Sequence, residues 1–406
     1  MKNHQDALRS LTIYITTDNT TEVNISSSPN LNPGIKSAVD NNVYITSNSK
    51  FTLPFHLACE YLKVEPKAVI IRTSELSTVT IFDSFYEYSN DGTLVIPTYK
   101  LSNQYLISTT EPYTTSPYYY SLFGIGTLSD RTDIKIKFKM VNTSRITLLG
   151  RTYNNGDVFS ITLDRFETFQ VNHTTDLSGT FITSTEPIAV FSGTRCNNLI
   201  SISCSHMVTQ LPPTTELDYQ FIVPPFFHNS KTLIQVVTPT HNTVNITIGG
   251  RVSSWILNER EYKNMESNET AVIVSRQPVL VTGFGMGSSS SLYINPYMTV
   301  IHGVHQYLDF YKITVPSGYT ENFLCIIIPA VSIDNLQING LSRDHYNTVY
   351  QSSVYLDKAY DVHVLQVRNT GETFVLSTTD KSKFGLIVYG HRTFDGYGFS
   401  GNFVLP

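Results

Sequence analysis

Charge is scarce in this 406-residue chain: Asp, Glu, Lys and Arg make up 15% of it, against about a quarter in an ordinary soluble domain. The 28 basic and 33 acidic side chains leave a formal net charge of −5, and no run of Lys and Arg stands out. Nucleic-acid binding needs such a basic footprint, so it is set aside. Long apolar runs are missing too. No stretch approaches the roughly 18 uncharged apolar residues of a membrane span. The opening segment MKNHQDALRSLTIYITTDNTTE has no apolar core of the secretory type, so a secreted reading assumes a trimmed segment or a longer parent chain. Nucleophile-elbow (G-x-S-x-G) and zinc-protease (H-E-x-x-H) patterns do not occur, which removes the commonest signatures of acyl transfer and metal-assisted hydrolysis.

What is abundant is strand material. Hydrophobic residues account for 41%, with 25 Tyr and 22 Phe, and Thr, Ser, Val and Ile fill much of the rest. β-Branched and aromatic side chains fit a pleated, half-buried surface. Period-2 alternation runs through 43–53, 133–141 and 243–250, the mark of strands with one buried face. We read turns at Asn90-Asp91-Gly92, Asn154-Asn155-Gly156, Asn339-Gly340 and Asn369-Thr370-Gly371, where Asn, Asp and Gly supply positive φ. The best helical candidate, 251–267, is weak.

An internal repeat organises the chain. An apolar strand, a small polar corner and a second apolar strand recur at 69–82, 180–193, 271–285 and 374–390, with Pro187 and Pro278 at matching corners. A second element recurs at 91–108, 205–223 and 295–315; in it Pro97 and Tyr105, Pro213 and Phe221, and Gly303 and Tyr311 each lie 8 residues apart. Six short strands between 134 and 193 suit an antiparallel sandwich better than a four-stranded propeller blade. The expected fold is all-β, with tandem antiparallel sandwich-like units at 1–103, 104–223, 224–315 and 316–406. A β-propeller built from the repeats is the alternative.

The four cysteines leave two readings open. Cys196 and Cys204 flank a short segment, and either form a loop-closing disulfide or are two thiols that lie close in sequence. Cys59 and Cys325 sit in apolar surroundings and read as buried small hydrophobes. Asn-X-Ser/Thr sequons occur at Asn19, Asn24, Asn142, Asn172, Asn245 and Asn268. Of these, Asn142, Asn172, Asn245 and Asn268 are the expected glycan acceptors, although a chain this rich in Asn, Ser and Thr yields sequons by chance.

At 179–226 the chain reads GTFITSTEPIAVFSGTRC, then CSHMVTQLPPTTELDYQFIVPPF. This stretch resembles the N-terminal domain family of IgG Fc-binding proteins through Pro187, Val190, Phe191, Ser192, Gly193, Cys196, Cys204, His206, Val208, Gln210, Leu211, Pro212 and Pro213. Segments 89–108 and 385–403 carry the likeness further. Thr209 and Ser205 depart from the family's usual Glu and Asp. The resemblance implies a secreted adhesion or mucus-type domain, an immunoglobulin-like or mucin partner, and a Cys196–Cys204 bridge.

The remaining chemistry has bland readings. His302 and His305 lie at an odd spacing that puts strand side chains on opposite faces, so they read as a solvated corner. His206 beside Cys196 and Cys204 lacks a fourth ligand at finger-like spacing. The Gly/Ser run 283–291 reads as a flexible loop. The pairs Asp157 with Asp164 and Glu259 with Glu261 read as surface charges. Tyr113, Tyr118, Tyr119, Tyr120 and Phe123, and Phe394, Tyr397 and Phe399, read as buried at joins between strands; exposed, they would stack on a sugar or a partner. We expect a binding or adhesion module for protein or glycan, with neither cofactor nor metal. A structural spacer and a carbohydrate-active enzyme are the other hypotheses.

Overall fold

The computed structural model describes residues 9–85, 89–113, 119–141, 143–197, 199, 205–226, 231–287, 293–368 and 371–404. The chain divides into two compact units, Met1–Thr215 and Glu216–Pro406. Among the described residues nearly all regular structure is antiparallel β, and no propeller closes.

In the first unit the strands are β1 (Arg9–Thr17), β2 (Thr21–Ser27), β3 (Asn41–Ile45), β4 (Asn48–Leu53), β5 (Val64–Glu65), β6 (Val69–Thr73), β7 (Ser77–Phe85), β8 (Ser89–Leu94), β9 (Ser102–Leu106), β10 (Ser121–Thr127), β11 (Thr132–Lys137), β12 (Arg145–Leu148), β13 (Arg151–Asn154), β14 (Val158–Leu163), β15 (Thr168–His173), β16 (Phe181–Thr194) and β17 (Met207–Gln210). Sheets β4-β1-β7-β8 and β3-β2-β6 face each other over Ile13, Ile15, Val23, Ile25, Ile45 and Leu53. Alternate residues of each strand fill that core, as a sandwich requires. One helix, Pro33–Val39, crosses its rim; Asn32 caps it by accepting from the amide of Gly34.

The second unit continues with β18 (Asp218–Val223), β19 (Thr232–Val237), β20 (Asn242–Ile248), β21 (Arg251–Leu257), β22 (Tyr262–Ser267), β23 (Ala271–Gly285), β24 (Tyr297–Val300), β25 (Phe310–Thr314), β26 (Glu321–Pro329), β27 (Leu336–Ile338), β28 (Leu341–Ser342), β29 (Asn347–Tyr355), β30 (Ala359–Val367), β31 (Thr373–Thr378), β32 (Gly385–Arg392) and β33 (Asp395–Ser400). One continuous core runs through it from Phe221 to Tyr389.

The sequence repeat is a repeat of strand pairing. The first half of β16 pairs with β9 and β11, and its second half with β10 and β17. β23 does the same with β18, β20, β19 and β24. In the last copy the long strand is broken: β31 pairs with β25 and β27, and β32 with β26 and β33. In the first copy β6 pairs with β2, and β7 with β1 and β8.

The polar corner is therefore a true break in the outer copies and a bulge within a continuous strand in the inner two. Pairing shifts register around Pro187 and Pro278, where a residue without an amide hydrogen loses no ladder bond. The Ser184 hydroxyl donates to the carbonyl of Glu186 at 2.6 Å, and that of Ser275 to Gln277 at 2.7 Å.

Three expectations need correction. Segment 251–267 forms two strands, β21 and β22, divided by a turn in which Arg260 stands at a positive φ of 61°. Asn90-Asp91-Gly92 is no turn; it lies inside β8. The glycine is there because a Cβ would meet the Phe82 ring at 2.4 Å. Third, Gly283, Phe284 and Gly285 belong to β23, while Ser288–Ser291 lie outside the described residues. Asn339-Gly340 does make the hairpin turn between β27 and β28, with φ of 52° and 76°. Asn369 and Thr370 lie outside the described residues.

The repeated 8-residue spacing also has a physical basis. Buried Tyr105 accepts the Ser102 amide at 3.2 Å and donates to the carbonyl of Ile188 at 2.6 Å. Tyr311 accepts the Leu308 amide at 3.1 Å and donates to Phe384 at 2.5 Å. Burial pushes the Tyr105 phenol up to about 12 and that of Tyr311 higher still. Each hydroxyl ties its own strand to a second segment, Tyr105 to Ile188 within β16 and Tyr311 to Phe384 just before β32. Tyr105→Phe and Tyr311→Phe should each cost about 1–3 kcal/mol, because two buried backbone groups lose their partner; chemical denaturation of the purified chain measures this.

Candidate functional site

The residues carrying the family resemblance converge where β16, β17 and β8 meet. Val190–Gly193 lie in β16, and Val208 and Gln210 in β17. β17 pairs with β16 through its backbone on one side. On the other side its amides meet side chains of β8. The amide of His206 donates to Ser89 Oγ at 2.8 Å, Val208 to Asp91 Oδ2 at 3.0 Å, and Gln210 to Thr93 Oγ1 at 2.9 Å. The Gln210 side chain returns the bond by accepting from the amide of Ile96 at 3.0 Å. Side chains two residues apart on β8 point the same way, so three of them take the place of a strand's carbonyls.

His206 is buried in the same place. Its Nδ1 lies 3.1 Å from the carbonyl oxygen of Thr194, and its Nε2 lies 3.5 Å from Asp83. The Ser192 hydroxyl donates to the carbonyl of Ser108. Cys196 is buried and disulfide-bonded, Cys59 and Cys325 are free thiols, and Cys204 lies outside the described residues. Buried and hydrogen-bonded, this cluster offers structure rather than a reactive group.

The other histidines also separate. His302 is packed, not solvated. Its ring lies against Phe403 at 3.6 Å, and burial pushes it down to about 3, so it stays neutral. His305 sits in the short turn Val304–Gln306, with Nδ1 2.9 Å from Asp218 and its ring 5.0 Å from that of Tyr219. Gly303 makes this approach possible, since a Cβ there would lie 2.1 Å from the Asp218 carboxylate. No group of three or more His, Cys, Asp or Glu side chains able to hold a metal exists among the described residues.

The carboxylates are spent on turns. Asp157 accepts from the Asn154 amide at 2.7 Å, and Glu261 from Asn258 at 2.6 Å. Asp164 accepts from the Arg131 amide, and Glu259 lies 3.8 Å from Arg260. One acidic neighbourhood escaped the sequence reading: Glu111 accepts from the Asp176 amide at 3.0 Å, and burial raises its pKa. Asp176 Oδ1 in turn accepts from Thr109 Oγ1, the Ser178 amide and Ser178 Oγ. Spacing gives no sign of a meeting between residues this far apart. The cavity beside His302 holds about 10 Å³, room for a water-sized group rather than a ligand.

The aromatic clusters divide. Phe123, Tyr397 and Phe399 are buried. Tyr113 lies 6.3 Å from Tyr119, and Tyr120 meets Tyr61 edge-on at 5.4 Å; Tyr118 lies outside the described residues. Phe394 departs from the expectation of burial. It is 38% exposed and stacks at 5.4 Å on Tyr293, itself 40% exposed. Both stand at left-handed φ, 62° and 41°, which costs a bulky residue energy. The amide of Phe394 donates to Tyr293 at 2.7 Å, and Asn295 Nδ2 donates to the carbonyl of Phe394 at 2.6 Å. The hairpin tip that forces Phe394 outward carries no sequence signal. Among the sequons, Asn19, Asn245 and Asn268 are exposed, Asn24 and Asn172 are half-buried, and Asn142 lies outside the described residues.

Comparison with known proteins adds a family. The family model described as IgGFc binding protein matches residues 91–390, more than half of the chain. The IgGFc-binding protein of Homo sapiens is 26% identical over 282 residues; the match covers 68% of this chain and 5% of the human protein. Two solved bacterial structures align across most of the chain. One concerns a 1.5-MDa ice-binding adhesin, 10% identical, covering 80% of this chain and 90% of that one, with a TM-score of 0.11. The other is a Ca2+-stabilized ice-binding adhesin of an Antarctic bacterium, 8% identical, covering 98% and 94%, with a TM-score of 0.12. Scores this low carry no argument about the fold.

The thiols give a direct check. Cys59 is half-buried, whereas burial pushes the Cys325 thiol far up from its ordinary range. Alkylation of the native, unreduced chain should label Cys59, leave Cys325 unmodified until unfolding, and recover Cys196 in a peptide bridged to Cys204. Alkylation of all four cysteines without reductant would contradict this.

Proposed function

Because the chain belongs to the IgGFc-binding protein family, we propose that it works as an extracellular adhesion module that engages a protein or glycan partner through exposed side chains of its β-sandwich surface. The observation that carries this reading is the inward placement of the family signature. Asp91, His206 and Cys196 are buried, so recognition falls to the exterior. The exposed ring pair Tyr293 and Phe394 is the strongest contact candidate there. Aromatic rings held by backbone bonds lose little entropy on binding. An immunoglobulin-like domain or a mucin is the proposed partner class, by analogy with the family's name.

A second reading, a spacer within a longer adhesive protein, draws support from the repeated architecture and from the small share of the human relative that the chain spans. Binding of the purified, disulfide-intact chain to immunoglobulin, mucin and glycan arrays separates the two. The module reading expects saturable binding that Tyr293→Asn with Phe394→Asn weakens about tenfold, near 1.4 kcal/mol. Asn tolerates the left-handed backbone, so the fold should persist. Silence on every array would leave the spacer reading.

A further inference from the structure

The outer edge of the third repeat has an unsolved problem. β21 ends the sheet order β21-β20-β23-β19-β22, and among the described residues it pairs with β20 alone. Its inward side is ordinary: Trp255 packs on the core and Leu257 is buried. Its outward side carries Val252 and Ile256, 66% and 73% exposed, with Ser254 between them. An exposed apolar edge strand is a template for unwanted pairing, and proteins blunt it with Lys, Pro or a bulge. β21 contains neither Lys nor Pro, its one charge, Arg251, stands at its first residue, and it meets β20 without any register shift. The second repeat handles the same edge with charge: β11 turns Asp133, Lys135 and Lys137 outward beside β14.

In the third repeat that place on β20 holds a sequon instead. Asn245 and Thr247 project to the outer face, while Val244 and Ile246 point into the core. The register sets Asn245 opposite Ser254, Thr247 opposite Val252 and Thr243 opposite Ile256. Asn245 thus stands at the centre of the apolar patch, with both exposed aliphatic side chains on its diagonals, about 7–8 Å away. β2 repeats the sequence as Val23-Asn24-Ile25-Ser26. There Asn24 is half-buried and Ser26 Oγ already accepts from Arg72 at 3.4 Å.

We propose that Asn245 carries an N-linked oligosaccharide that lies over Val252 and Ile256 and closes the β21 edge to other strands. The inference rests on the extracellular reading above. In the transfer, the Asn245 side-chain nitrogen attacks the anomeric carbon of a lipid-diphosphate-linked oligosaccharide. The N–C bond forms, the C–O bond to the diphosphate breaks, the lipid diphosphate leaves with the electron pair, and the amide gives up one proton. Sugar C–H faces then cover the aliphatic side chains, and their hydroxyls reach Thr243, Thr247 and Ser254.

The test is secretion of the full chain from a eukaryotic host, with glycopeptide mass spectrometry at each sequon. Asn245 should be occupied in most molecules. Thr247→Ala, which removes the sequon and keeps Asn245, should raise self-association by light scattering at least tenfold. Adding Val252→Thr and Ile256→Thr to that variant should restore the monomer. A bare Asn245 beside occupied Asn19 or Asn268 overturns this inference alone. So does a Thr247→Ala chain that stays as monomeric as the parent. If every sequon is bare, the extracellular reading falls with it.

Discussion

A strand edge buried without carbonyls opposite it must find acceptors elsewhere, and in the first unit β8 provides them from its side chains. Ser89, Asp91 and Thr93 receive the amides of His206, Val208 and Gln210, each pair separated by 117 residues. A constant separation means the two segments run parallel in fixed register. One-residue slippage would turn all three acceptors to the wrong face, so the contact fixes β17, and through β17 the second half of β16. Asp91 is the strongest member, since a carboxylate accepts backbone amides more tightly than a hydroxyl does; its other oxygen takes the amide of Gly92 at 2.8 Å.

The corresponding join in the second unit uses different chemistry. Tyr297 lies over a glycine face, where a Cβ at Gly398 would come within 2.4 Å of its ring and one at Gly285 equally close. Thr299 and Ser400 share a hydrogen bond at 3.2 Å, and Ser400 donates to the carbonyl of Val300. The pairing scheme is preserved while the lock changes from polar to aromatic. Two of the three segments that resemble the family, 89–108 and 179–226, are the two sides of the polar lock. Their likeness is therefore a likeness of architecture.

Alternation and turn chemistry made the strands legible, and the 8-residue spacing marked a buried hydroxyl bond in the first and last copies, with Tyr105 and Tyr311, where the middle copy has Phe221. Asp91-Gly92 misled because the pair looks like a hairpin turn, whereas the aspartate serves an amide far along the chain and the glycine makes room for Phe82. No local pattern carries either requirement. The helix Pro33–Val39 went unread: Asn32 caps it and Pro33 opens it, but two turns are too short for a periodic signal. The stacked pair Tyr293 and Phe394 was illegible for the opposite reason: nothing in a sequence marks a bulky aromatic residue for left-handed φ.

Residue-level amide exchange on the native chain tests the side-chain ladder most directly. The amides of His206, Val208 and Gln210 should be protected like those within a sheet, although no strand carbonyl faces them, and Asp91→Ala should speed Val208 most, by about ten- to a hundredfold. Exchange of these three amides at the rate of an open strand edge, or a Val208 rate indifferent to Asp91→Ala, would contradict the account.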